Sequence, residues 1–122
     1  PRAPRVLLFV EDDDAVRGVM LRVLRTAGHQ VVEARTGQEG LALAQSMGAE
    51  LAGLISDVHM PGLSGLEMVR TLRLVRPDLP VVFVSGNADV SWIEDFGANT
   101  ALVTKPFVSS RLLAALDEVF SI

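Results

Sequence analysis

A chain of 122 residues with 49% apolar residues has the size and composition of one domain with one core. Fifteen acidic against 11 basic residues, a net charge of −4, argue against direct nucleic-acid binding by this chain, because a phosphate backbone is gripped by a basic surface. Cysteine is absent, which excludes disulfides and thiolate metal sites and fits a cytoplasmic location; no apolar run approaches membrane-spanning length and no signal peptide is visible, so membrane insertion is not expected.

The first element is the continuous apolar run Val6 to Val10, a strand whose lack of alternation implies cover on both faces. Glu11-Asp12-Asp13-Asp14 follows abruptly, and Asp13 or Asp14 is expected to cap a helix. That helix carries Val16, Val19, Met20, Val23, Leu24 and Ala27 at helical spacing and stops at Gly28. Residues 30–34 read as a second strand. Thr36 and Glu39 form a capping box for a second helix through about Met47, closed by Gly48. The third strand is expected over Leu51 to Ser56, leading into Asp57-Val58-His59-Met60-Pro61-Gly62. Ser64 and Glu67 repeat the capping box and start a third helix with Met68, Leu72 and Val75 on one face, ended by Pro77. Leu79 to Val84 is a fourth strand ending at Ser85-Gly86-Asn87, and a short helix is expected from Asp89 to Phe96 with Val90, Ile93 and Phe96 inward. Ala101 to Thr104 is a fifth strand, and Ser109 is expected to cap a last helix with Leu112, Leu113, Leu116 and Phe120 as its buried stripe.

Alternating strands and helices with short linkers imply a parallel sheet covered on both faces, as one domain over residues 1–122. Pro1 in place of a methionine suggests a processed piece or a cut from a larger protein. In a parallel sheet all carboxyl ends share one edge, where ligands bind. Strand one delivers Glu11 and Asp12 to that edge, strand three Asp57, strand four Ser85 and strand five Lys105. Taken alone, Asp57 reads equally as a turn cap or a site residue. Three crowded carboxylates, however, need a cation or protons. Oxygen-only ligands favour a hard divalent ion, Mg²⁺ first, with Mn²⁺ as the alternative. Lys105 and Ser85 can then meet phosphoryl oxygens, leaving Asp57 as the carboxylate that attacks phosphorus.

These residues are the ones by which the chain resembles the receiver domains of two-component response regulators: Val10-Glu11-Asp12-Asp13, Asp57 through Gly62, Gly65, Ser85-Gly86 and Lys105-Pro106-Phe107, in this order and along the whole length. The resemblance implies a flavodoxin-like doubly wound (βα)5 fold with sheet order 2-1-3-4-5, and Mg²⁺-dependent phosphoryl transfer to Asp57 from a histidine kinase or a histidine phosphotransfer domain. It implies that Asp12 and Asp57 ligate the metal directly, Glu11 through water, and His59 through its backbone carbonyl. It also implies that Ser85 and Lys105 engage the phosphoryl group, that Lys105-Pro106 is cis, and that the side chains of His59 and Asn87 border the site. As an isolated domain it would be no enzyme beyond its own phosphorylation and dephosphorylation. Its oligomeric state is not written in the sequence.

The chain departs from the family pattern at several places. Glu11 stands where aspartate is common, Leu102 replaces the aromatic residue three before the lysine, and the 97–101 stretch holds one residue more than usual. The short fourth helix is about one turn below family length. Leu102 excludes an aromatic rotamer switch, and the pattern resembles receivers of hybrid histidine kinases and some single-domain receivers. Trp92 reads equally as core or as a partner's anchor, and His29 as a surface residue in a turn. Three rival functions remain for comparison. A phosphorylation-independent interaction module is disfavoured by the complete acid, serine and lysine set. A flavin protein is disfavoured by the acids after strand one, which repel phosphate. An aspartate-type phosphatase would need an acid where His59 stands.

Overall fold

In the computed structural model, which describes residues 5–86 and 90–120, strands β1 (Val6–Val10), β2 (Gln30–Ala34), β3 (Gly53–Asp57), β4 (Val81–Ser85) and β5 (Thr100–Thr104) form one parallel sheet. Its order is β2-β1-β3-β4-β5, as the flavodoxin-like reading requires. Four α-helices connect and flank it: α1 (Asp14–Thr26), α2 (Gly37–Met47), α3 (Gly65–Val75) and α4 (Ser109–Phe120).

The unbroken apolar runs follow from a sheet buried on both sides. Leu7, Phe9, Ile55, Val82 and Val84 pack with Met20, Leu24, Leu112 and Leu116 of α1 and α4. Their strand neighbours Leu8, Val10, Leu54 and Phe83 point the other way, onto Ala44, Met68 and Leu72 of α2 and α3. Successive strand residues alternate faces, so both faces of the strands are lined by apolar layers. Among the described residues, no helix is long and apolar enough to cross a membrane.

Local signals set most boundaries. Asp13, not Asp14, caps α1: its Oδ1 accepts from the N–H groups of Ala15 at 2.9 Å and Val16 at 3.1 Å. Gly28, at φ 99°, turns the chain out of α1 in a left-handed conformation that favours glycine. The Ser64–Glu67 capping box is complete. The Thr36–Glu39 box is half formed: Thr36 Oγ1 accepts from Glu39 N–H, but Glu39 Oε1 takes the N–H of Arg35 at 3.1 Å instead of that of Thr36.

Five expectations are corrected. A 3₁₀ turn, Gly48–Glu50, carries the chain past Leu51, so β3 begins at Gly53 and includes Asp57 as its last residue. β4 begins at Val81 and runs through Ser85, since the Leu79 N–H is used in a turn to Arg76. Val75 is 90% exposed because it rotates off the Met68–Leu72 face at the end of α3. Ser109 is the first residue of α4, not its cap. The expected short helix is a 3₁₀ segment, Ser91–Phe96, closed by Gly97; Asp89 lies outside the described residues. Its tight winding drops Phe96 and Trp92 onto Phe83, where the three rings meet edge to face at centroid distances of 5.0–5.9 Å. Trp92 is therefore half-buried core packing. His29 is likewise half-buried, with an Nδ1 that finds no hydrogen-bond partner among the described residues.

Candidate functional site

The carboxyl ends of β1, β3, β4 and β5 bring the sequence-derived residues to one edge. Asp57 ends β3 opposite Val84, and Ser85 ends β4 opposite Thr104. Both backbones therefore belong to the ladder and are as rigid as the sheet. Gly65 lets α3 come in close behind the acid: a Cβ there would stand 2.2 Å from the Asp57 carbonyl oxygen. The Lys105 N–H donates to the Ser85 carbonyl at 2.8 Å, and the following Lys105–Pro106 bond is cis, as expected.

Lys105 is the centre of the arrangement. Its Nζ donates to Glu11 Oε1 at 3.1 Å and to Asp57 Oδ2 at 3.2 Å, bridging residues that are far apart in sequence. Glu11 is 1% exposed and Asp57 is buried, whereas Asp12 is exposed. Even so, one carboxylate oxygen from each of Glu11, Asp12 and Asp57 lies within 4.8 Å of the others. The Asp57 Oδ1 also accepts from the His59 N–H at 3.4 Å, which orients the carboxylate from the loop side; the His59 side chain is exposed. Ser85 is fully buried at the same edge. Asn87 lies outside the described residues.

The electrostatics follow from this crowding. Burial first, then the hydrogen bond and charge of Asp57, push the Glu11 carboxyl up to about 7, against the opposing pull of Lys105. Burial disfavours the Lys105 ammonium, but its hydrogen bond to Glu11 and the charges of Asp57 and Glu11 outweigh that and hold it above the ordinary lysine range. Two of the three carboxylates thus share one ammonium, and the candidate ligand atoms of the cluster are all oxygen. A hard divalent cation fits such a set; a soft metal does not.

The raised Glu11 value has a testable sign. In the folded chain its carboxyl binds a proton more tightly than at its ordinary 4.5. Its contribution to stability is therefore full below about 4.5 and is lost as pH climbs to about 7. In a chelator, the urea midpoint of the unsubstituted chain should fall between pH 5 and pH 8 relative to that of Glu11→Gln, which keeps the shape and cannot ionise. Parallel midpoints across that range would contradict the assignment.

One contributor is not singled out by the sequence pattern. Arg17 of α1 is buried and donates from Nη1 to the Glu11 carbonyl at 2.9 Å. The available signal is its place three residues after Asp14 in the first turns of α1, where the two form an ion pair.

Comparison with known proteins agrees with this geometry. The family model of the response regulator receiver domain matches residues 7–117. The sensor kinase CckA of Brucella abortus is 36% identical over 115 residues, 93% of this chain. The chain spans 12% of that kinase's length, and about half or less of the transcriptional regulators it also matches. Among solved structures, the chemotaxis protein CheY4 of Vibrio cholerae superposes with a TM-score of 0.86 at 31% identity, covering 97% of this chain and 100% of that one. The receiver domain of the hybrid histidine kinase CckA gives 0.81 at 34% identity, over 95% and 99% of the two chains. With the acids, the lysine and the cis-proline all at one sheet edge, the chain belongs to the response regulator receiver domain family, the phosphoryl-accepting module of two-component signalling.

Proposed function

We propose that this chain, as a single receiver domain over residues 1–122, accepts a phosphoryl group on the side chain of Asp57 in a Mg²⁺-dependent reaction. The observation that carries the reading is the Lys105 bridge: one ammonium within 3.2 Å of two acids, one just after β1 and one at the end of β3, with a third carboxylate alongside. Asp12 and Asp57 would hold the metal directly, Glu11 through water and His59 through its carbonyl. When bound, the metal supplies the positive charge that lets the acids stay ionised together and orients phosphoryl oxygens.

The chain's own groups do the rest. An Asp57 carboxylate oxygen forms the new P–O bond as the donor's P–N bond breaks, and the leaving imidazole keeps that electron pair and takes up a proton. Asp57 begins buried, ladder-fixed and held by Lys105 and the His59 N–H, so little reorganisation precedes attack. Lys105 then meets a phosphoryl oxygen with its ammonium, and the Ser85 hydroxyl donates to another. In the product the phosphoryl group carries roughly two negative charges where the carboxylate carried one, and this added charge at the sheet edge repositions the loop after β3.

The donor is a histidine kinase or a phosphotransfer domain, docking beside α1. Val19 and Val108 stand exposed there, next to a groove lined by Val16, Met20 and Phe107. Such partners place the domain in the cytoplasm, and no enzymatic activity beyond self-phosphorylation and dephosphorylation is assigned to it. Incubation with Mg²⁺ and a small acyl phosphate should add one phosphoryl group by intact mass, and Asp57→Asn should add none. Equal labelling of that variant would show the acceptor to be wrong. No labelling at all, with a partner still bound, would favour a phosphorylation-independent interaction module.

A further inference from the structure

Glu11 is held at both ends of its backbone. Its N–H donates to the Ala34 carbonyl at the end of β2, at 3.1 Å, and its carbonyl accepts from Arg17 Nη1 at 2.9 Å. The Arg17 guanidinium is buried and is itself fixed from two further sides. Nε donates to Glu33 Oε1 at 3.3 Å, and Nη2 pairs with Asp14 Oδ1. Glu33 lies on β2 and Asp14 opens α1, so the planar fork spans three elements and leaves Nη1 aimed at one carbonyl.

The charge of Arg17 is taken up by Asp14 and Glu33. The Glu11 carboxyl answers instead to burial, Asp57 and Lys105. Whatever Arg17 does for the site it therefore does through the backbone, by fixing the plane of the Glu11–Asp12 peptide. We propose that Arg17 is a positioning residue for the phosphotransfer cation: its fork sets the peptide from which the Glu11 and Asp12 carboxylates are aimed. This rests on the reading that these acids hold Mg²⁺.

The test uses the full chain and two readouts, the Mg²⁺ dissociation constant by calorimetry and the urea midpoint without metal. Loss of a group that orients metal-ligating residues weakens metal binding about 10-fold or more. Arg17→Met should show that loss while remaining folded. Arg17→Lys should recover only part of it, because an ammonium cannot span the Glu11 carbonyl, Glu33 and Asp14 at once. Glu33→Gln, which loosens one of the fork's three anchors and leaves the guanidinium in place, should weaken binding about 3-fold, less than loss of the whole group. If Arg17→Met lowers the midpoint yet binds Mg²⁺ as the unsubstituted chain does, the role is structural and the inference is overturned. Full recovery by Arg17→Lys would also overturn it, by making charge sufficient. Should Arg17→Met fail to fold, unchanged affinity in both Arg17→Lys and Glu33→Gln would overturn it equally. An unsubstituted chain that binds no Mg²⁺ would instead remove the underlying reading, and the inference with it.

Discussion

Lys105→Met is expected to cost the metal-free chain about 3 kcal/mol at pH 8 and much less at pH 5. The substitution keeps an apolar stem of similar length and removes the ammonium. Glu11 and Asp57 then face each other, both buried, without the cation that bridges them at 3.1 and 3.2 Å. Leaving buried charge unpaired is among the costliest single changes, and the partial exposure of Lys105 places this case at the low end of that range. The pH dependence separates charge from packing. Glu11 titrates at about 7 with Lys105 present, and one opposing influence disappears with the ammonium, so at pH 5 its carboxyl is protonated and the repulsion is relieved. Urea unfolding at the two pH values provides the comparison. An equal loss at both would mean that the ionisation of Glu11 does not set the cost, contradicting the charge account.

Gly65→Ala is expected to be at least as damaging, by about 3 kcal/mol or more, and at every pH. The added Cβ would lie 2.2 Å from the Asp57 carbonyl oxygen and 2.9 Å from Ser56 Oγ. The first of these belongs to a ladder-paired strand backbone, which cannot yield as the end of a flexible side chain can. The Gly65 N–H also donates to the Val58 carbonyl at 3.0 Å, so displacing α3 would pull the loop that carries His59. The substitution should therefore lower the urea midpoint and, in whatever fraction remains folded, slow labelling by an acyl phosphate. Near-normal stability would show that α3 can shift away from Asp57 without cost.

The site was legible in the sequence because its logic is topological. Once five apolar runs alternate with helices, a parallel sheet follows, and Glu11, Asp57, Ser85 and Lys105 must share an edge whatever the details of packing. What stayed hidden depends on distances. Nothing in Glu11-Asp12 tells which acid is buried: the fold buries Glu11 against Lys105 and leaves Asp12 exposed. Arg17 looks like one more helix-surface arginine until β2 brings Glu33 beside it. Capping residues fixed helix starts where their φ and ψ allowed, as at Asp13 and Ser64, and misled at Ser109, which lies inside α4. Val75 fits an apolar helical spacing but falls at a helix end, where no neighbour covers it.

The departures at Leu102 and in the fourth connection also find a physical setting. Leu102 is half-buried on β5 opposite Phe83, whose ring is already occupied by Trp92 and Phe96. The Arg73 guanidinium ties the 3₁₀ segment to α3, donating to the carbonyls of Leu79, Phe96 and Asn99 at 2.8–3.3 Å. Asn99, at φ 63°, makes the turn into β5 within the 97–101 stretch, which holds one residue more than the usual family spacing.

The atom on which phosphorus lands separates Asp57 from every other acid of the chain. Phosphorylating the unsubstituted chain, reducing it with borohydride and sequencing its peptides should reveal homoserine at position 57, formed with Mg²⁺ and absent in chelator. Homoserine at Glu11's neighbour Asp12 or at any other aspartate, hydroxynorvaline at a glutamate, or the same yield without a divalent ion, would contradict the claim that the crowded sheet edge readies Asp57 alone.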